Sequence, residues 1–184
     1  MRKLIVTEYV TVDGIIEGFE EWFYPHWDDA IGVVKHAEMF ASDTLLFGRV
    51  TYQLFAAQWM SNRTDETGFA DRLHNVAKYV VSASLERAEW NNSTIIRRNV
   101  ADEVTKLKQQ SGLDILVAGS GQLVHALRRH NLIDEYRLMV FPIIWGKGQR
   151  LFADGDMTRL KLIDTKTFGS GVMTHTYQPV EPAA

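Results

Sequence analysis

Apolar positions along this chain fall in short runs bounded by polar, glycine-bearing turns, and the runs switch between two periods. Lys3 to Val10 is rich in β-branched and aromatic residues and reads as an opening strand, which Thr11, Val12, Asp13 and Gly14 end with turn chemistry. Ile15 to Trp27 keeps neither period and reads as an irregular stretch dense in aromatics: Phe19, Trp22, Phe23, Tyr24 and Trp27. Asp28 or Asp29 starts a helix in which Ala30, Val33, Val34, Ala37 and Phe40 fall near one face. Thr44 to Phe47 is a short apolar strand, and Gly48, Arg49, Val50 and Thr51 lead from it into a helix over Tyr52–Ala57. Ser61 to Gly68 is polar and reads as a loop.

The second half repeats the alternation. Tyr79–Ser82 and Thr94–Arg97 are strands, and Ala101–Gln110 is a helix. The apolar residues Ile115 to Ala118 form a buried strand, Gly119, Ser120 and Gly121 turn the chain, and Gln122 to His130 is a helix. Glu135–Phe141 is a strand, and the end is a hairpin: Leu160–Phe168, a Gly169-Ser170-Gly171 turn, and Val172–Tyr177. Pro179 onward is expected to be a frayed tail.

Strands alternating with helices imply an α/β fold with a mixed, mainly parallel sheet covered on both faces. The closing hairpin adds at least one antiparallel strand at an edge. No repeat, linker or low-complexity segment divides the chain, so residues 1–178 are expected to form one domain, with 179–184 as a flexible tail. A length of 184 residues suits one sizeable core.

Composition narrows the chemistry. The chain is 46% apolar and 23% charged, with a net charge of −3 and no basic block, which argues against a nucleic-acid partner. Cysteine is absent, so disulfides, thiolate catalysis and Cys-ligated metals are excluded. The six histidines are scattered and none forms a His-Glu-x-x-His pattern, so no metal site is expected. Met1 to Val10 lacks the apolar core of a signal peptide, and no run approaches the roughly 18 apolar residues of a membrane span. A cytoplasmic protein with no membrane partner is the expectation.

Three strand ends carry candidate chemistry. Gly119-Ser120-Gly121 leaves a helix N-terminus at the end of a strand, where free backbone N–H groups and the helix dipole favour an anion, most often a phosphate. The same turn also serves as plain punctuation in many proteins. Gly48 to Thr51 repeats the arrangement and adds a guanidinium, whose planar fork matches phosphate, and a hydroxyl. Alternatively Arg49 pairs with a surface carboxylate and Thr51 only caps the helix. Ser82, Ala83 and Ser84 place two hydroxyls around one small residue just past a strand, which suits either a phosphate or a satisfied turn. Open α/β sheets bind ligands at that edge, and a dinucleotide has enough anionic oxygens to occupy several such sites.

With these motifs in view, the chain resembles the dihydrofolate reductase superfamily, and within it the branch related to the reductase domain of bacterial riboflavin biosynthesis. The resemblance is carried by Thr11-Val12-Asp13-Gly14, by Leu45 to Tyr52 with its Gly48-Arg49-Val50-Thr51, by Tyr79 to Ser82, and by Leu116-Val117-Ala118-Gly119-Ser120-Gly121. Pro142 to Phe152 is also like this branch and less like folate reductases. The resemblance implies a dihydrofolate reductase-like three-layer fold with about eight strands, NADPH as hydride donor, and a homodimer. It implies that Gly48, Arg49, Val50 and Thr51 hold cofactor phosphates, that Ser82, Ala83 and Ser84 lie near the adenosine 2′-phosphate, and that Ala118, Gly119, Ser120, Gly121, Gln122 and Leu123 cradle the pyrophosphate. Ile16 would contact the nicotinamide end. Folate reductases carry an acid on the first helix facing the pterin, and the simplest alignment places Gly32 there. Ser120 stands where folate reductases usually have glycine.

Reduction also needs a proton. Asp13, beside Gly14 and the Ile15-Ile16 pair, is the first candidate on the substrate side, with an ordinary turn aspartate as its alternative. Asp28 is the second, with a helix N-cap as its alternative. Trp22, Trp27 and Trp59 offer flat surfaces for a heteroaromatic ring, or fill the core. Phe141 and Trp145 are candidates for a subunit interface. Lys147 and Arg150 are candidates for a substrate phosphate, or belong to a solvated charged loop. The function expected is an NADPH-dependent reductase of a small pterin-like or riboflavin-precursor-like heterocycle. A catalytically silent nucleotide-binding or interaction protein on the same fold is the alternative. A Rossmann dehydrogenase fits less well, because Val124 replaces the third glycine of the fingerprint and the motif comes late in the chain.

Overall fold

A computed structural model describes residues 1–62, 65–152 and 157–180. Among these, eight strands form one sheet: β1 (Leu4–Thr11), β2 (Ser42–Gly48), β3 (Ala77–Val81), β4 (Ser93–Ile96), β5 (Asp114–Val117), β6 (Glu135–Phe141), β7 (Leu160–Thr167) and β8 (Met173–Pro179). The spatial order is β4-β3-β2-β5-β1-β6-β8-β7. Every pairing is parallel except those of β8 with β6 and β7. Six helices flank the sheet: α1 (Phe19–Phe23), α2 (Asp29–Phe40), α3 (Arg49–Trp59), α4 (Phe69–Asn75), α5 (Val100–Gln109) and α6 (Gly121–Arg129). This is the mixed, mainly parallel three-layer architecture with a C-terminal hairpin that the alternation of periods implied. No described helix is long and apolar enough to cross a membrane.

β1 is central and buried on both faces, which is why its sequence reads as a nearly continuous apolar run. Leu4, Val6 and Val10 pack with Val104 and Leu107 of α5 and with Leu123, Val124 and Leu127 of α6. Ile5 joins Leu45, Phe47, Tyr52, Leu73 and Trp90 in a second cluster. Trp22, Phe23, Ile31, Met139, Phe141, Phe168 and Val172 make a third, beside α2 and the hairpin turn.

Several elements depart from expectation. The aromatic stretch contains the short helix α1, entered through Gly18 at φ 71° and started by Glu20 and Glu21, whose charges suit a helix N-terminus. α4 follows the polar loop and was not foreseen. On α2 the buried residues are Ile31, Glu38 and Met39, while Ala30, Val33, Ala37 and Phe40 are exposed. The expected stripe took apolar character as its only guide; the true stripe carries the paired charges Lys35 and Glu38. The end is better tied than a frayed tail: Pro179 pairs with Leu160, and the Val180 N–H donates to Arg159 O at 2.9 Å. The last four residues, 181–184, lie outside the described residues.

Candidate functional site

Strand register builds the site. β5 stops at Val117, opposite Val6 of β1 on one side and Leu46 of β2 on the other. Both neighbours run on: β2 to Gly48, and β1 to Thr11, paired there only with β6. A slot one strand wide therefore opens between β1 and β2 at the C-terminal edge of the sheet, and the turn from β5 into α6 closes its floor. Gly48 lies opposite Val81, so Ser82 emerges beside it at the same edge. The three strand ends singled out from sequence thus converge.

Their packing is close. A Cβ on Gly48 would collide with the Ser120 hydroxyl. Gly119 has φ +81°, and a Cβ there would stand 2.8 Å from Thr51 Oγ1. Glycine at 119 meets both demands, a left-handed backbone and no side chain. The Gly119–Ser120 peptide is cis. The N-cap residues of α3 and α6, Gly48 and Ser120, make no side-chain cap, so both helices present N–H groups of their first turns toward the slot. Arg49 is exposed and donates to Gln53 Oε1 at 2.9 Å. The buried Ser82 hydroxyl accepts from the N–H groups of Ser84 (3.2 Å) and Leu85 (2.9 Å), while Ala83 and Ser84 are exposed. Val50 and Gln122 point to solvent; Leu123 is core and offers only backbone.

Two loops cover the slot and are locked together. The Ile16 N–H donates to Gln149 O and the Leu151 N–H to Gly14 O, each at 2.9 Å, and Ile15 bridges Arg150. Ile16 Cδ1 lies 3.0 Å from where a Cβ on Gly121 would stand, which sets this side chain at the N-terminus of α6. Asp13 is the staple: its carboxylate accepts from the Thr11 hydroxyl (2.6 Å) and from the N–H groups of Trp145 (3.1 Å) and Gly146 (2.8 Å). The Thr11 hydroxyl and those two N–H groups hold its carboxyl down to about 2. A carboxylate so engaged has no proton to give near neutrality, which corrects the expectation of Asp13 as acid. Asp28 caps α2 by accepting from the Ala30 N–H at 2.8 Å, its bland alternative.

The structure adds an acid that sequence reasoning passed over. Glu8 lies on β1 beyond the end of β5, buried, with Oε1 lacking any hydrogen-bond partner. Burial pushes its carboxyl up to about 8, against the opposing pull of the Lys35 charge and the Gly119 N–H. On the other face of β1, Lys35 Nζ donates to Thr7 Oγ1 (2.6 Å) and Glu38 Oε2 (2.7 Å) and lies 4.9 Å from the Tyr9 ring centroid. Burial works against the Lys35 charge, but Glu38 and Tyr9 hold its pKa above the ordinary value. Arg137 adds contacts to Glu38 (3.8 Å) and Glu135 (2.8 Å). The available signal was the charge in Thr7-Glu8-Tyr9, inside a strand that is otherwise apolar.

Comparison with known proteins supplies the family and the fold. Residues 2–174 match the model of the RibD C-terminal domain. The chain belongs to the RibD C-terminal domain family. It is 32% identical over 182 residues to the uncharacterized protein YyaP of Bacillus subtilis (strain 168), covering 96% of this chain and 94% of that one. A putative riboflavin biosynthesis protein from Shewanella sp. PV-4 superposes with a TM-score of 0.77 at 18% identity, covering 97% of this chain and 99% of that one. Dihydrofolate reductase from Enterococcus faecalis, in a complex with NADP(H), superposes with a TM-score of 0.63 at 14% identity, covering 96% of each chain. Both likenesses show a shared fold.

For a RibD C-terminal domain, the residues at the slot fit a dinucleotide. Gly48 and Gly119 let the three strand ends pack without a Cβ between them, the first turns of α3 and α6 start there without a side-chain cap from Gly48 or Ser120, and the exposed Arg49, held by Gln53, and the Ser82 hydroxyl lie at the same edge. The proposed substrate surfaces fare unevenly in this family member. Trp22 is 1% exposed, donates its indole N–H to Glu17 O at 3.1 Å and packs 4.9 Å from the Phe141 ring; it is core and offers no face to a ligand. Phe141 is likewise fully buried, not a subunit surface. Trp27 is half exposed, with its ring 5.3 Å from Phe23 and its edge over Gly32. Trp59 lies eight residues beyond Thr51 on α3, about 12 Å along the axis, against Phe69. Arg150 and Lys147 are exposed on the covering loop, with Lys147 Nζ 4.8 Å from the Trp145 ring.

Proposed function

We propose that this chain is an NADPH-dependent reductase that transfers a hydride to a small heterocyclic substrate of the pterin or riboflavin-precursor type. The observation that carries the reading is the convergence of Gly48–Thr51, Ser82–Ser84 and Gly119–Leu123 around the slot where β5 stops short. NADPH, when bound, supplies the hydride. Arg49 with Ser82 and Ser84 would bind the 2′-phosphate, which NADH lacks. The N–H groups from Gly119 to Leu123 would bind the pyrophosphate, and Ile16 would cover the nicotinamide end and exclude water. The Lys35–Glu38–Thr7 cluster lies on the opposite face of β1 from Leu4, Val6 and Val10 and is the fixed polar group nearest to hand for a heterocycle that approaches from the α2 side.

Calorimetry with NADPH and NADH tests this directly. NADPH is expected to bind the tighter of the two, and Arg49→Ala to weaken NADPH about tenfold, in line with a charge-assisted phosphate contact of roughly 1.5–3 kcal/mol less solvent screening. Absence of NADPH binding at millimolar concentration would refute the reading.

A second reading, a nucleotide-binding protein without turnover, is favoured by one observation: Gly32 occupies the expected acid position, and Asp13 and Asp28 are both engaged structurally. Tight NADPH binding with no oxidation across a panel of pterins and ribosylamino-pyrimidines would select it.

A further inference from the structure

The sheet order gives the cofactor a direction. Its adenosine end belongs beside β2 and β3, where Arg49 and Ser82 emerge, and its pyrophosphate belongs at the start of α6, after β5. β1 is the next strand in the order β3-β2-β5-β1, so the group that arrives against it is the nicotinamide ring. Beyond Val6 the β5-side edge of β1 is unpaired, and Glu8 stands on that stretch with Leu138 opposite it on β6. Its carboxyl is buried, receives the Gly119 N–H, and keeps Oε1 without a partner. A buried acid of this kind is cheap when neutral and costly when ionised, unless a positive charge stands beside it.

We infer that Glu8 responds to the charge of the nicotinamide ring: its carboxyl keeps its proton beside the neutral dihydronicotinamide and releases it beside the cationic, oxidised ring. The inference rests on the NADPH reading above. The balance is simple: NADP⁺ binding converts the Glu8 carboxylic acid to a carboxylate, and one proton leaves to solvent. Across a hydride transfer the same ionisation stabilises the positive charge left on the ring. Among the described residues, the charge that acts on Glu8 is Lys35 on α2, itself coupled to Glu38, and the Tyr9 hydroxyl on β1 feels Glu8 in turn; the turn before α6 presents the Gly119 N–H. Lys35 is paired to Glu38 and Thr7, so it does not by itself neutralise Glu8.

The test is titration calorimetry of the whole chain with NADP⁺ and with NADPH, each in two buffers of different protonation enthalpy. The 2′-phosphate is common to both nucleotides, so its own titration cancels in the difference. With an opposite charge lowering a carboxyl by one to three pKa units, NADP⁺ is expected to release roughly half to one proton near pH 7, and NADPH close to none. The affinity ratio of NADP⁺ to NADPH should rise about tenfold or more between pH 6 and pH 8.5. Glu8→Gln, which mimics the neutral carboxyl, should abolish both the proton release and the pH dependence of the ratio. Equal proton release for the two nucleotides in the wild-type chain overturns the inference and leaves the NADPH reading standing, as does release that persists in Glu8→Gln. Failure of both nucleotides to bind overturns both.

Discussion

Glu8 makes a prediction that needs no cofactor. Its carboxyl is pushed from an ordinary value of 4.5 to about 8, with burial as the largest cause. In the unfolded chain Glu8 ionises near its ordinary value; in the folded chain it keeps its proton until about pH 8. Below about 4.5 both states are protonated and pH has no leverage through this group. Between the two values the folded state binds one more proton than the unfolded state, so stability falls as pH rises, by about 1.4 kcal/mol per pH unit at most. Across the window the ceiling is about 5 kcal/mol, comparable to the whole stability of a modest domain. Above pH 8 the loss is complete. Glu8→Gln keeps the shape and removes the titration. Urea unfolding followed by tryptophan fluorescence, for wild type and variant at steps from pH 5 to pH 9, isolates this group because every other titration is shared. The variant is expected to gain on the wild type by several kcal/mol from the acid end to the alkaline end. A stability difference that stays constant with pH to within about 0.5 kcal/mol would refute the reasoning, because no shifted carboxyl could then lie at Glu8.

Other outcomes follow from single contacts. Asp13→Ala should speed hydrogen exchange at the Trp145 and Gly146 amides, whose N–H groups it holds, and weaken NADPH several-fold by loosening the cover of the slot. Because the Asp13 carboxyl titrates near 2, below its ordinary 3.8, its stabilising contribution is present above that ordinary value and fades as pH falls toward 2; exchange protection at those amides in wild type should therefore survive at pH 4. Lys78 is fully buried and donates to His74 O and Val76 O (2.9 Å each) and Asn91 O (3.0 Å), with the Trp90 ring centroid 4.5 Å away. Lys78→Ala removes three charge-assisted hydrogen bonds to buried carbonyls and should cost about 3–5 kcal/mol in urea unfolding, whereas a loss under 1 kcal/mol would show that water replaces the ammonium. Trp22→Ala should cost about 3–5 kcal/mol as a core truncation; an unchanged unfolding midpoint would return Trp22 to the substrate surface.

The chain's own residues, read in order, were enough for the layer architecture, the C-terminal hairpin and the places where the three glycine- or serine-bearing strand ends fall. Those features are local: a period of two or 3.6, a glycine-bearing turn, a serine or arginine just past an apolar run. The slot was not legible, because it arises from β5 ending at Val117 while β1 and β2 continue, and register between strands is a property of the sheet. The helix face of α2 was misjudged for a related reason. Periodicity weights apolar side chains, yet the sheet below α2 offers Thr7 and Arg137, which make Lys35 and Glu38 the residues to bury and leave Val33 and Phe40 outside. The roles of the acids were decided by partners far away along the chain. Asp13 meets residues 132 and 133 positions later, and becomes a staple instead of an acid. Glu8 is one charge in a mostly apolar strand, and only its burial in the folded sheet raises its carboxyl to about 8, against the pull of the Gly119 N–H, and leaves one oxygen without a partner. Residue type and spacing determine which chemistry a segment can offer; desolvation and the identity of distant neighbours, which exist only in the folded chain, decide which of those offers is used.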